Sequence, residues 1–404
     1  MSLNIVTPKN VNNLDDLKIE NSVLVPFSNI LISFVSDVSK AILKDPFFKE
    51  HPELMALAFW MRKSHIKQLH KYFVEQSENK VLLGRGIVFH MAPSNVDTIF
   101  VYSWFISLLV GNSNILRISD KENIQTSLLI GIINSVLELE LYNILKNRVA
   151  IIRYGHEDDI TLKLSQMADV RVIWGGDRTV EHIRTIPIKP TATELSFADK
   201  FSFAVINSKE IMEEKNLQDL IEKFYNDSFW FGQMACSSVR MVVWVGTKEL
   251  NLEAQQLFWD KLNQYVLNQQ PEEIAPADIV NKLVAECSMA IENHVTISKN
   301  ENNPFINRVK INNIKEVNEN LHCGTGLFYE LEIDKFKDLL SSLTKKHQTL
   351  AYYGFSKEEL KNIIYSSMPN GIDRIVPIGQ SLDFSYIWDG YDLFRSFCRE
   401  VEVL

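Results

Sequence analysis

Short apolar runs alternate with amphipathic segments along most of this chain, and that alternation predicts its architecture. From Val81 onward "RGIVFHMAPSN" reads as a strand and turn, and "VDTIFVYSWFISLLV" as a buried helix. "SNILRIS" follows as a strand, "NIQTSLLIGIINSVLELELYNIL" as one long helix, "RVAIIRY" as a strand, "VRVIWGG" as another and "DRTVEHIRTI" as a helix. Strands that alternate with helices imply βαβ units and a largely parallel sheet covered on both faces. "KFSFAVI" is expected as one more strand of that sheet. After about Ser208 the alternation resumes around a second core, through the strand "SVRMVVWVG", helices near Phe258 and Leu283, then "GTGLFYELEI" and "HQTLAYYGF".

The first eighty residues read as helices, with Ile30, Ile32, Phe34, Val35 and Val38 opening one amphipathic segment. Four regions are expected: 1–80 helical and packed on the next, 81–208 a cofactor domain, 209–373 a domain built around Cys236, and 374–404 a tail crossing back over the body. A chain of 404 residues exceeds one compact core. Its 46% apolar and 23% charged residues are ordinary for a water-exposed globular protein, and the formal net charge of −9 argues against nucleic acid as partner. Asn21–Ser36 holds Pro26, and Thr98–Leu116 is broken by Gly111-Asn112-Ser113-Asn114, so neither reads as a membrane span. The N-terminus lacks a secretory pattern. Four scattered cysteines suit neither a metal site nor a disulfide framework, and the expected location is the cytoplasm.

Candidate chemistry lies at turns. "HMAPSNVD" places Pro93, Ser94 and Asn95 at one strand end, "LRISDKEN" places Arg117, Ser119 and Lys121 at the next, and "WGGDRT" places Gly175, Gly176 and Thr179 at a third. In open α/β sheets ligands bind outside the carboxyl ends of the strands. The G-x-G-x-x-G fingerprint is absent, and any one of these turns could be purely structural. Cys236, in "FWFGQMACSSVRMVVWVG", sits in a small polar step between an aromatic segment and an apolar strand. A thiol there is either a nucleophile or a small buried hydrophobe. Phe229, Trp230 and Phe231 either line an acyl channel or belong to the core.

"APSN" before an apolar helix, "GNSNILRIS", "IWGGDRTV", the cysteine in "ACSSVR" and the tail "GIDRIVPIGQSLDFSYIWDGYDL" together resemble the aldehyde dehydrogenase superfamily. More closely they resemble its LuxC-type acyl-CoA reductases. The resemblance implies an α/β, aldehyde dehydrogenase-like fold: a Rossmann-type cofactor domain with a parallel sheet plus an α/β catalytic domain. It implies an acyl-CoA or acyl-thioester substrate reduced to aldehyde, with Cys236 as acyl acceptor and Asn95 as oxyanion donor. It also implies Arg117, Ser119, Gly175, Gly176 and Thr179 at a nicotinamide cofactor. Arg117 stands where the superfamily often has lysine, and a guanidinium suits a 2′-phosphate, which points to NADPH over NADH. Glu194 in "ELSFADKFSF" lacks the glycines of the hydrolytic base motif, and is expected to be a surface carboxylate. His90 and His322 are expected to be structural. A homo-oligomer is expected, with an acyl-activating enzyme as a further partner. The competing readings are an aldehyde dehydrogenase running toward the acid, and a non-catalytic partner of an acyl-activating enzyme.

Overall fold

The computed structural model describes residues 3–77, 80–92, 99–120, 123–269, 275–292, 295–300 and 303–403. The chain divides into two compact units, one formed by Met1–Asp199 with Phe384–Leu404 and the other by Lys200–Asp383. These boundaries differ from the expected ones at both ends of the second unit.

Among the described residues the first unit sets α1 (Asn29–Lys44), α2 (Pro52–Trp60), α3 (Lys63–Gln76), α4 (Ile99–Leu109), α5 (Ile124–Leu137), α6 (Asp158–Met167), α7 (Asp177–Arg184) and the short helix Leu393–Phe397 around a six-stranded sheet. Its strands are β1 (Asn4–Thr7), β3 (Ile87–Met91), β4 (Ser113–Ile118), β5 (Val149–Arg153), β6 (Val170–Trp174) and β7 (Thr193–Phe197), in the order β1-β5-β4-β3-β6-β7. A separate short strand, β2 (Val81–Gly84), pairs antiparallel with Cys398–Val401. β3 to β7 are parallel, and their order places the change of winding direction between β3 and β6. All five residues of β3 are buried, as a strand covered on both faces requires. α1 buries Leu31, Phe34, Val35, Val38 and Ile42, one stripe of a 3.6-residue period.

The N-terminal region is not wholly helical. Asn4–Thr7 adds an antiparallel edge strand beside β5, which four residues cannot announce in a sequence. The helix expected through Leu145 ends at Leu137, and a kinked 3₁₀ stretch follows from Glu140 to Arg148. The Gly111 turn forms as expected. Gly111 holds φ +93°, and a Cβ there would meet the Leu24 carbonyl oxygen at 2.1 Å.

The second unit has its own seven-stranded sheet. Its strands are β8 (Phe201–Asn207), β9 (Val239–Val245), β10 (Thr296–Asn300), β11 (Asn303–Ile311), β12 (Leu327–Ile333), β13 (His347–Tyr353) and β14 (Arg374–Pro377). They lie in the order β10-β11-β12-β9-β8-β13-β14, parallel except for the β10–β11 hairpin. Its principal helices are α8 (Ser208–Glu213), α9 (Leu217–Phe229), α10 (Lys248–Gln269) and α11 (Pro276–Glu292). The segment "KFSFAVI" therefore belongs here as β8, not in the first sheet. An apolar run fits any doubly covered parallel strand, so composition cannot assign it to one sheet or the other.

Candidate active site

Cys236 is half-buried in a β-turn immediately before β9. The Ser238 N–H donates to the Ala235 carbonyl at 3.0 Å, which puts Cys236 and Ser237 at the two central turn positions. The approach to this turn is conformationally unusual. Phe231, Gly232 and Gln233 hold φ of 56°, 59° and 65°. For Phe and Gln such angles persist only where the surroundings over-determine them, and three sets of contacts do so here. Buried Gln233 donates to the Val239 carbonyl at 2.9 Å and accepts from the Gly326 N–H at 2.9 Å. Arg240 donates to the carbonyls of Gln233, Met234 and Ala235 at 3.3, 3.2 and 3.3 Å. The Thr325 N–H donates to the Gly232 carbonyl at 3.0 Å.

Two serines hold the turn itself. Ser202 on β8 donates to the Cys236 carbonyl at 2.7 Å, and Ser381 donates to the Ser237 carbonyl. None of the four cysteines forms a disulfide. Burial pushes the Cys398 thiol up to about 12 and raises that of Cys323, while Cys287 is exposed on α11.

The first unit carries the other candidates. Arg117 lies near the end of β4, where its Nη2 donates to the Tyr154 and Gly155 carbonyls at 3.1 and 2.7 Å. These bonds tie the end of β4 to the chain just after β5. Ser119 follows β4 directly, and its carbonyl accepts from Arg153 at 3.0 Å. Gly175 and Gly176 follow β6 and lead into α7. A Cβ on Gly175 would meet Thr179 Cγ2 at 3.0 Å, and one on Gly176 would meet Asp199 Oδ2 at 2.9 Å. A larger residue in this turn would therefore have to displace the Thr179 or Asp199 side chain. Thr179 is exposed on α7. Asn95, with Pro93, Ser94 and Lys121, lies outside the described residues.

Glu194 corrects its expectation. It sits on β7, where Arg171 donates to it through Nε at 2.7 Å and through Nη2, and Arg184 donates through Nε at 3.1 Å. Arg171 is only 2% exposed and Glu194 17%, so the carboxylate is half-buried and paired with a buried guanidinium instead of standing free at the surface. A carboxylate committed to two guanidiniums is a poor activator of water. The histidines are structural, as expected. His90 is fully buried between Ser103 Oγ at 3.2 Å and Asn114 Oδ1 at 3.1 Å, and burial lowers it to about 4. His322 spends both ring nitrogens on the Leu327 carbonyl and the Gly324 N–H, and burial lowers it to about 3. Phe229 stacks on Tyr225 at 4.9 Å and packs toward Phe328, so this member of the aromatic trio is half-buried against the core.

The profile of the acyl-CoA reductase (LuxC) family matches residues 64–399. The chain belongs to that family. No curated protein sequence matches it. Among solved structures it resembles methylmalonate-semialdehyde dehydrogenase from Oceanimonas doudoroffii, with TM-score 0.63 and 11% identity, covering 100% of this chain and 97% of that one. Lactaldehyde dehydrogenase from Escherichia coli gives 0.61 and 11%, covering 92% and 86%. Proline utilization A from Bradyrhizobium japonicum gives 0.64 and 11%, covering 94% of this chain but 43% of that one, so this chain spans under half its length. At such identities the likeness concerns the fold, and the fold is that of the aldehyde dehydrogenases. Membership of that family implies a nicotinamide cofactor. The first unit fits one: its parallel strands wind outward in both directions from β3, the arrangement that opens a crevice at the carboxyl edge. At that edge, Arg117 Nε near the end of β4 and Trp174 Nε1 at the end of β6 are buried donors without a hydrogen-bond partner among the described residues.

Proposed function

We propose that the enzyme reduces an acyl-CoA or related acyl thioester to an aldehyde through an acyl group carried on Cys236. The observation that carries this reading is the Cys236 turn: a half-buried thiol whose backbone is fixed by Ser202, Ser381 and the Ala235–Ser238 hydrogen bond. The Cys236 sulfur attacks the thioester carbonyl, the carbon–sulfur bond to the leaving thiol breaks, and that thiolate takes up a proton. Asn95 supplies an amide to the oxyanion, by the resemblance, and one such donor is worth about 3 kcal/mol. The chemistry that a bound reduced nicotinamide supplies is hydride, which makes the thioester a thiohemiacetal that collapses to aldehyde and free Cys236. Arg117, Ser119, Gly175, Gly176 and Thr179 are the residues we assign to holding it, within a cofactor domain formed by the first unit. Arg117 is assigned to favouring NADPH over NADH, because a guanidinium suits a 2′-phosphate and the resemblance sets it where the superfamily often has lysine.

The ion-paired state of Glu194 supports aldehyde formation over oxidation to the acid, since it leaves the acyl-enzyme without that base. We also propose an acyl-activating enzyme as supplier of the acyl thioester, a homo-oligomeric state and a cytoplasmic location. Among the described residues no helix is long and apolar enough to cross a membrane. The test is turnover of a panel of acyl-CoAs with reduced nicotinamide, followed by aldehyde trapping. Wild type should form aldehyde and Cys236→Ala should not. Undiminished aldehyde from Cys236→Ala would exclude the proposal.

A further inference from the structure

The polar contacts beneath the Cys236 turn continue into the protein along one chain of buried groups. Ser381, fully buried, donates to the Ser237 carbonyl. The loop that carries Ser381 is gripped from two sides. Asp227, on α9 and 1% exposed, accepts from the Gly379 N–H at 2.6 Å through one carboxylate oxygen and from the Ser381 N–H at 3.0 Å through the other. Arg374 donates to the carbonyls of Ser381 and Asp383 at 3.2 and 2.8 Å. On the opposite flank, Ser202 donates to the Cys236 carbonyl and itself accepts from the Thr349 N–H at 3.2 Å.

Two consecutive peptide units, 236–237 and 237–238, are thus fixed by serine hydroxyls from different parts of the unit. A trans peptide points its N–H opposite to its C=O. Holding the Cys236 carbonyl on Ser202 therefore turns the Ser237 N–H away from the serine side, and Ser381 fixes the following plane. With the Ala235 carbonyl held by the Ser238 N–H and Arg240, the planes on both sides of Cys236 set the direction of its Cα–Cβ bond, on which the sulfur's approach to a carbonyl depends, and Ser381 keeps the turn closed behind them. A carboxylate buried this deeply, with both oxygens spent on the amides of one loop, contributes little to the core beyond holding that loop in place.

We propose that Asp227 and Ser381 are positioning residues for the Cys236 thiol, Asp227 acting by clamping the Gly379–Ser381 loop and Ser381 by holding the Ser237 carbonyl. This rests on the reading of Cys236 as the acyl acceptor. A titration follows from the same contacts. Burial pushes the Asp227 carboxyl up to about 7, against the lowering effect of its two amide donors, with Asp383 and Arg374 as the other charged groups facing it. Once protonated, one oxygen presents an O–H to an amide N–H and that hydrogen bond is lost. Asp227→Asn places an NH₂ in the same position, so the asparagine variant mimics the protonated acid.

The experiment measures acyl-enzyme formation without nicotinamide, by intact mass, using the acyl-CoA that loads wild type fastest. Ser381→Ala and Asp227→Asn should each slow acylation by about tenfold or more, with the acyl-CoA concentration dependence unchanged, since a misplacement of about 1 Å can cost ~100-fold. The double variant should be no slower than the slower single one, because both act through a single loop. The ratio of wild-type to Asp227→Asn rates should fall toward one as pH drops below about 7, and this ratio cancels the titration of the thiol itself. Ser381→Ala acylating at the wild-type rate overturns the proposal, and it decides the matter alone if Asp227→Asn does not fold. A Cys236→Ala control without adduct, beside positioning variants at full rate, rejects the positioning role and leaves the nucleophile intact. An adduct that survives Cys236→Ala and is discharged as aldehyde when reduced nicotinamide is added overturns both.

Discussion

Glu194→Gln separates a structural carboxylate from a catalytic one. Arg171 is almost wholly buried, and apart from Glu194 it keeps only the Ile186 carbonyl at 2.7 Å and Ser165 Oγ at 3.2 Å. Removing the carboxylate charge strands a guanidinium inside the sheet, and breaking a buried pair in this way costs about 3–5 kcal/mol. Glutamine keeps one acceptor oxygen, which places the variant near the lower end, at about 3 kcal/mol. For a unit of about 200 residues each kcal/mol moves the melting temperature by about 2–4 °C, so a fall of about 6–12 °C is expected. Arg184 provides the internal control. Its side chain is 57% exposed, and an exposed ion pair is worth less than about 1 kcal/mol, so Arg184→Ala should melt close to wild type. Both variants are read by thermal unfolding in far-UV circular dichroism, with acid and aldehyde products quantified from an acyl-CoA. The rate of acid release per folded molecule should be unchanged in Glu194→Gln. Wild-type melting combined with a large loss of acid product would refute the reasoning, because it would make Glu194 a working base and its ion pair incidental.

Two further substitutions test the packing of the second unit and the choice of cofactor. Gly326 holds φ +83°, and a Cβ there would stand 1.9 Å from the Phe305 carbonyl oxygen. Gly326→Ala should therefore cost more stability in urea unfolding than the about 1–3 kcal/mol of a positive φ alone, and an unchanged midpoint would contradict the packing described. Arg117→Ala should reduce the preference for NADPH over NADH by about tenfold, the worth of one charge-assisted hydrogen bond of about 1.5 kcal/mol, as measured by the ratio of kcat/KM values. An unaltered ratio would remove Arg117 from cofactor choice.

The parallel architecture is legible in the sequence because doubly covered strands leave predominantly apolar runs, as in β3, β6 and β9, where only His90, Arg171 and Arg240 interrupt them. Membership of a sheet is not legible, which is why β8 is misplaced by pattern alone. β1 escapes notice because it is four residues long and its partner strand lies far along the chain. The same limit governs the site. Cys236 stands out locally, as a small polar step before an apolar strand. Its supports do not, because Ser202, Asp227 and Ser381 reach the turn or its loop across 34, 152 and 144 residues of chain. Nor does spacing show that Glu194 pairs with Arg171, since that contact requires β6 and β7 to lie side by side in register. The tail "PIGQSLD" carries part of the family resemblance, and the structure gives it a physical role, since Gly379 and Ser381 are the residues through which Asp227 reaches the turn.

The central claim is that Cys236 carries the acyl group, and peptide mapping after incubation with acyl-CoA alone tests it most directly. Exposed Cys287 must be resolved from Cys236 in such a map, so the adduct is located by fragment mass and its formation timed. The expected result is a stoichiometric acyl adduct on the Cys236 peptide, discharged as aldehyde when reduced nicotinamide is added and absent from Cys236→Ala. An adduct on another residue that is discharged as aldehyde, or aldehyde formation with Cys236 unmodified throughout, would contradict it.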